Sequence, residues 1–258
     1  MMILGTIALV LAAAASSPLD RLPKDAAGDV VRRAIEYAGG MERWSSMRSV
    51  SFRKTTTRYR PDGSVESVRI AVHQYLLHPS PKMHISWDDA GKKIVLINDG
   101  QQAWKTVDGV PAKAVDDVNL ARNSTFGSHY VFGIPFKLTD PGVHVRHAGR
   151  EKLSGGTTVD KIRVIYDKGA GDAAGYHTWT YDFDTKSGRL VANQLLYEKG
   201  KYDYTEYHDE VSVDGIRVAT RRPSHPADAR GKTGKKATEV KYDDIKFNVP
   251  LAEALFRK

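Results

Sequence analysis

Residues 83–109 read MHISWDDAGKKIVLINDGQQAWKTVDG, and this stretch decides the fold. Met83, Ile85 and Trp87 alternate with Lys82, His84 and Ser86, the period of two that buries one face of an extended strand. Asp88-Asp89-Ala90-Gly91 turns the chain into Ile94–Ile97, Asn98-Asp99-Gly100 turns it into Ala103–Val107, and Asp108-Gly109 closes the meander. These signals are hairpin chemistry, because turns whose twist matches paired strands need positive φ.

The same grammar extends on both sides. Val50-Ser51-Phe52 opens a strand that Pro61-Asp62-Gly63 turns. Val68, Ile70 and Val72 then alternate with Arg69, Ala71 and His73, so one face is buried and the other wet. Further strands are predicted at 143–147, 159–166, 177–183, 190–197, 202–208, 211–220 and 238–247, punctuated by Lys186-Ser187-Gly188, Lys199-Gly200 and Asp214-Gly215. A helix precedes them: Asp25 or Asp29 caps it, Val30, Val31, Ala34, Ile35 and Ala38 recur at helical spacing, and Gly39-Gly40 stops it. Met41–Met47 adds a helical turn around Trp44. Between the two runs of strands, Ala114–Phe132 reads as an irregular helix interrupted near Asn123–Gly127, with a mobile apolar connection at Gly133–Phe136. The pattern predicts one mainly β domain of about 11–12 antiparallel strands with a leading helix and a helical insertion.

The chain has 258 residues, a formal net charge of +8 and 41% hydrophobic residues, which is enough for a proper core. It has no cysteine, which excludes a disulfide scaffold, thiolate catalysis, Cys-ligated zinc and a lipidated Cys. Met1–Ala15 is uncharged and apolar and ends in Ala13-Ala14-Ala15, an A-x-A pattern, so residues 1–15 read as a signal peptide. No Lys or Arg precedes the apolar run, and a retained anchor is the competing reading. Residues 16–28 then read as a spacer and 29–258 as the folded domain, destined for the periplasm or another extracytoplasmic space.

Motifs for chemistry are sparse. Residues 230–236 (RGKTGKK) lack the first glycine and the strand–loop–helix setting of a phosphate loop. No G-x-S-x-G or H-E-x-x-H occurs, and the nine histidines match no zinc spacing, so no metal, cofactor or catalytic residue is assigned. An enzyme built on Glu206, His208 and Glu210 is the residual alternative. Arg217, Arg221, Arg222, Arg230, Lys232, Lys235 and Lys236 form a basic run, read either as a solvated loop or as a rim contacting an anionic membrane surface or an envelope partner. Nucleic acid is excluded, since no aromatic-interleaved basic motif accompanies the run.

Several motifs together carry a family resemblance. They are Ala38-Gly39-Gly40 with Trp44 and Arg48-Ser49-Val50, and Tyr75–Met83 with Pro79 and Pro81. The turn Asn98–Trp104 follows, and Tyr242–Leu251 with Leu255-Phe256 closes the chain. Jointly these resemble the outer-membrane lipoprotein-sorting carriers, the LolA/LolB-like superfamily. The resemblance implies a single unclosed antiparallel β half-barrel whose apolar concave face lies under a helical lid. It also implies a non-enzymatic, monomeric carrier of an acylated or hydrophobic ligand. Met83, Ile85, Trp87, Trp104, Trp179, Tyr181 and Phe183 would line the groove, and Phe126, Tyr130, Phe132 and Phe136 would face it from the lid. The alternative for the same side chains is a filled core in an envelope interaction module without cargo.

Overall fold

The computed structural model describes residues 17–170, 178–197 and 200–257. The segment read as an export signal and the start of the strand expected at 177 lie outside the described residues. Within them come a 3₁₀ turn at Pro18–Arg21, helices α1 (Ala26–Tyr37) and α2 (Met41–Ser46), and strands β1 (Ser49–Tyr59), β2 (Val65–Leu76), β3 (Lys82–Asp89), β4 (Lys92–Asn98), β5 (Ala103–Val107) and β6 (Val110–Pro111). Helix α3 (Val115–Phe132) and a 3₁₀ turn at Phe136–Thr139 follow. The second run comprises β7 (Val143–Lys152), β8 (Thr158–Tyr166), β9 (Thr178–Asp184), β10 (Leu190–Leu196), β11 (Tyr202–Glu206), β12 (His208–Val213), β13 (Ile216–Ala227) and β14 (Thr238–Phe247), with a last 3₁₀ turn at Glu253–Phe256.

All strands join one 14-stranded antiparallel sheet in the order β6-β5-β4-β3-β2-β1-β14-β13-β11-β10-β9-β8-β7, with β12 paired to β13. The sheet does not close: β6 and β7 are its two edges. Chain order explains why a helix covers it. β1 to β6 walk outward to one edge, β7 begins at the other, and α3 carries the chain between them across the concave face. Among the described residues no helix is long and apolar enough to cross a membrane.

Local chemistry sets the elements. Asp25 caps α1, its carboxylate accepting from the N–H groups of Ala27 (2.9 Å) and Gly28 (3.1 Å). Val30, Val31, Ala34 and Ile35 point from α1 into the core, against β7 and β8. Gly39 ends the helix at φ +123°, where an added Cβ would stand 2.3 Å from the Gly215 carbonyl. The Ala90-Gly91, Asp108-Gly109 and Asp214-Gly215 pairs all have φ between +48° and +80°, as two-residue hairpins require. Asn248 also has positive φ, and its side chain accepts from the Arg48 N–H at 2.8 Å, which fixes the closing motif to the start of β1.

Four expectations change. The alternation on β2 has the opposite phase: Ala71, His73 and Tyr75 are buried, while Val68, Ile70 and Val72 are 56%, 53% and 42% exposed. The register forces this, since His73 pairs with buried Phe52 and Ala71 with Lys54. The valines and isoleucine there serve the strand's backbone preference rather than burial. Helix α3 is continuous through 123–127, because tertiary bonds outweigh its weak local propensity. The Thr125 hydroxyl donates to the Ala121 carbonyl (2.7 Å) and accepts from the Asn98 side chain (3.2 Å). The connection at 133–136 is packed rather than loose, with Phe136 buried and stacked on Trp44 at 4.6 Å. The run at 211–220 is a hairpin, β12 turning into β13 at Asp214-Gly215, which with the short β6 raises the strand number among the described residues to 14.

The core is one cluster between sheet and helices, centred on aromatic rings. Phe52 stacks on Phe132 at 4.6 Å and on His73 at 4.9 Å, and meets Tyr75 and Tyr242 edge-on. Each such ring contributes about 1.5–3 kcal/mol by burial, with roughly 0.5–1.5 more per well-oriented aromatic pair.

Candidate functional site

The concave face is the natural place for a site, and two helices divide it. Helix α1 fills the half under β7 and β8, and α3 crosses β3, β4 and β5. The last turns of α3 reach deepest: Tyr130 shares a 2.7 Å hydroxyl contact with Tyr166 on β8, and His129 meets Tyr75 edge-on. Nearer its start the joints are polar, the Lys105–Asp117 ion pair (2.7 Å) in the first half and the Asn98–Thr125 bond just past the midpoint. Apolar residues lie on both sides of the first half, with Ala121 buried against the sheet and Val115 and Leu120 74% and 44% exposed.

Between α3 and the sheet lies a chamber of about 50 Å³. Lys54, Ala71, His73, Ile85 and Leu96 form the sheet wall, and Leu120, Ser124 and Ser128, spaced four apart, form the helix wall. Arg69 and Trp87 stand at its mouth, the guanidinium 5.0 Å from the ring centre. Lys54 donates to the Ser128 hydroxyl at 3.3 Å. Burial, with the fields of Arg222 and Arg69, pushes the Lys54 ammonium down to about 7. Burial first, then Lys54, Arg69 and Arg222, hold His73 well below the usual imidazole range. His73 is therefore neutral, its Nδ1 hydrogen-bonded to the Tyr75 hydroxyl at 2.5 Å.

Arg222 lies behind this chamber, on β13. It is buried, bonded to the Tyr242 hydroxyl, and its guanidinium carbon sits 4.5 Å from the Tyr242 ring and 5.7 Å from that of Tyr207. Among the described residues its Nε has no partner. Burial pushes Tyr207 up to about 12 and raises Tyr242. A second cavity, of about 40 Å³, lies where Arg222, Tyr207 and Tyr242 meet Phe132 and Ala38. Both cavities fall far below the roughly 300–1,000 Å³ of small-molecule pockets, so in this state α1 and α3 occupy the concavity.

The groove residues expected from sequence divide into separate groups. Met83, Ile85 and Trp87 share the concave face of β3, beneath α3. Phe126, Tyr130, Phe132 and Phe136 follow in and after α3, all but the half-buried Phe126 being fully buried. Trp179, Tyr181 and Phe183 are buried on β9, six strands from β2 in the sheet order and on α1's side. Trp104 leaves the groove altogether. It pairs with Ile97, and the adjacent cross-strand pair Leu96–Lys105 faces α3, so Trp104 points to the convex side. The final turn, anchored there by the Lys82–Glu253 ion pair (2.7 Å), lies against β3 on that side.

The basic rim is not one patch. Arg217 stacks over Tyr37 at 4.5 Å at one end of β13, while Arg230 and Lys232 are exposed beyond its other end. Arg221 pairs with Asp209 (2.6 Å), Lys236 pairs with Glu239 (3.3 Å), and Lys235 donates to the Pro61 carbonyl. Arg222 faces inward. Of the alternative enzyme residues, His208 pairs with Glu206 at 2.7 Å, whereas Glu210 accepts from the Tyr37 hydroxyl, so the three do not converge.

Sequence reasoning missed Lys54, Arg69, Ser124 and Ser128. The signal for Lys54 was present: it follows Val50 and Phe52 at period two, on the inward face of β1.

This fold, an open antiparallel sheet with a helix strapped over its concave face, is shared with solved structures of low sequence identity. It is similar to a LolA superfamily protein from Nitrosomonas europaea over 90% of this chain and 97% of the other, with a TM-score of 0.59 and 13% identity. A DUF1329 family protein from Desulfovibrio piger matches over 91% and 98%, with a TM-score of 0.59 and 12% identity. A domain from Vibrio parahaemolyticus, described as an outer membrane lipoprotein-sorting protein, matches over 88% and 97%, with a TM-score of 0.53 and 15% identity. Neither a protein-family profile nor a curated protein sequence matches the chain.

Proposed function

We propose that this protein is an exported, non-enzymatic carrier that binds an acylated or otherwise hydrophobic ligand on its concave face beneath α3, working in the periplasm or an equivalent extracytoplasmic space. One observation carries the reading. The cover over β3, β4 and β5 is a single helix, fastened by polar joints at Asp117 in its first half and Thr125 just past its midpoint, and that first half has apolar side chains on both sides. Lifting that half uncovers Met83, Ile85 and Trp87 without breaking the aromatic core around Phe52. A ligand chain replaces helix contacts with its own, each buried CH₂ being worth about 0.8 kcal/mol. Phe126, Tyr130, Phe132 and Phe136 keep the far end of the helix seated. The likeness of fold to a domain described as a lipoprotein-sorting protein supports the same reading.

The test is direct. Protein purified without detergent is extracted with organic solvent and analysed by mass spectrometry, and the stripped protein is titrated with a fluorescent acyl probe. Copurifying lipid or saturable, competable probe binding is expected. Absence of both refutes the carrier.

A further inference from the structure

Lys54 stands in the chamber without a counter-charge. Among the described residues no carboxylate pairs with it, and the charged groups whose fields act on it are Arg222 and Arg69, both cations. Arg69, at the mouth, feels Asp89, but Arg58 adds a further positive field there. The cations form a series running inward: Arg69 exposed, Lys54 half-buried, and Arg222 6% exposed with an unpartnered Nε. A methionine of similar length would fill the position of Lys54 without burying a charge, so for stability alone the ammonium is a liability. Around it the walls offer the hydroxyls of Thr56, Ser124 and Ser128, which can donate, and neutral His73. The remaining walls, Ile85, Leu96 and Leu120, are apolar.

We propose that this chamber is the head-group seat of the carried ligand, that the head group is a carboxylate accepting from the Lys54 ammonium and the serine hydroxyls of α3, and that the ligand class is therefore a long-chain fatty acid. This rests on the carrier reading and narrows its ligand. The chamber is small, about 50 Å³, and suits a compact head group such as a carboxylate. The single ammonium matches one negative charge. From that seat the chain runs between β3–β4 and the first half of α3, past Ile85, Leu96 and Leu120, the half of the helix held by the Lys105–Asp117 ion pair and by the small buried Ala121. Arg69, stacked on Trp87 at the entrance, attracts the anion and hands it inward.

Calorimetric titration of the stripped protein at pH 6 with dodecanoate, dodecanol and dodecyl phosphate tests the assignment. Dodecanoate is expected to bind roughly tenfold to a hundredfold more tightly than dodecanol, the span of a charge-assisted hydrogen bond. Lys54→Met is expected to bring the ratio to within about threefold, and Lys54→Arg to retain most of it. Equal affinity for the acid and the alcohol overturns the head-group seat while leaving the carrier intact. A preference that survives Lys54→Met also overturns it. Tighter binding of dodecyl phosphate than of dodecanoate overturns the carboxylate assignment. Binding of none of the three removes this inference and the carrier reading together.

Discussion

Replacing Lys54 by Met should make the ligand-free protein more stable, and by an amount that depends on pH. In the folded chain the ammonium is pushed from 10.5 down to about 7, chiefly by burial. Folding therefore carries the full cost of the charge wherever both states are protonated, below about pH 7. Between pH 7 and 10.5 the unfolded chain binds the extra proton and wild-type stability climbs. Above 10.5 neither state is charged and the cost is gone. A shift of this size corresponds to roughly 5 kcal/mol. Partial exposure of the side chain and loss of the 3.3 Å bond to Ser128 reduce the expected gain to about 2–3 kcal/mol. Met matches the stem in volume, so no cavity offsets the gain. Urea unfolding of wild type and Lys54→Met at pH 6, 8 and 10 measures it. The variant's midpoint should exceed that of wild type most at pH 6, and the two should converge by pH 10. A variant less stable at pH 6, or a difference that ignores pH, would refute the claim that the ammonium is held without a counter-charge.

Other perturbations probe the frame. Phe52→Ala removes the ring on which Phe132 and His73 stack and should cost about 3–5 kcal/mol, read as a lowered urea midpoint. Thr125→Val strips the Asn98 amide of its bond and should cost about 1–3 kcal/mol, with faster hydrogen exchange confined to α3. Gly39→Ala must adopt φ near +123° and meets the Gly215 carbonyl, so a loss above about 1–3 kcal/mol is expected by thermal unfolding. Asp160, 1% exposed, accepts from Arg33, His147 and Arg150. Burial raises its carboxyl, but the bonds from Arg150 and His147 outweigh this and hold it below the usual range. Its contribution is thus present above the unfolded value and lost as pH falls through the folded one. Asp160→Asn should lower stability at pH 7 and flatten its decline in acid, measured by unfolding between pH 7 and 2.5.

Much of this was legible in the sequence. The Asp-Gly hairpins, the Asp25 cap and the Gly39-Gly40 stop are local chemistry, and local chemistry is written in adjacent residues. The phase of β2 was not legible, because Val68, Ile70 and Val72 outscore Ala71, His73 and Tyr75 in apolarity, and only pairing with Phe52 decides which set turns inward. Continuity of α3 rests on Asn98, a residue on another element. The half of the groove set on β3 was visible as a period of two, yet the same period could not say that Trp104 lies out of phase with Leu96 across a hairpin. Lys54 was hidden by habit: a lysine among threonines reads as surface until the curvature of the sheet encloses it.

The two edges of the sheet bear on how such a cover can move. Helix α3 leaves the chain at β6 after three intervening residues and rejoins it at β7 through ten, of which Phe136–Thr139 are wound into a packed turn. It is thus moored at both banks, like a footbridge, and cannot swing open as a door hinged on one side. Its only slack is the stretch between Pro111 and Val115, roughly 10–13 Å of extended chain. Access beneath it must come from lifting the β6 end within that reach, or from the banks themselves spreading as the sheet flattens. A crosslink joining β6 to β3 would then block loading as effectively as one joining the helix to the sheet, although it touches neither the helix nor the ligand.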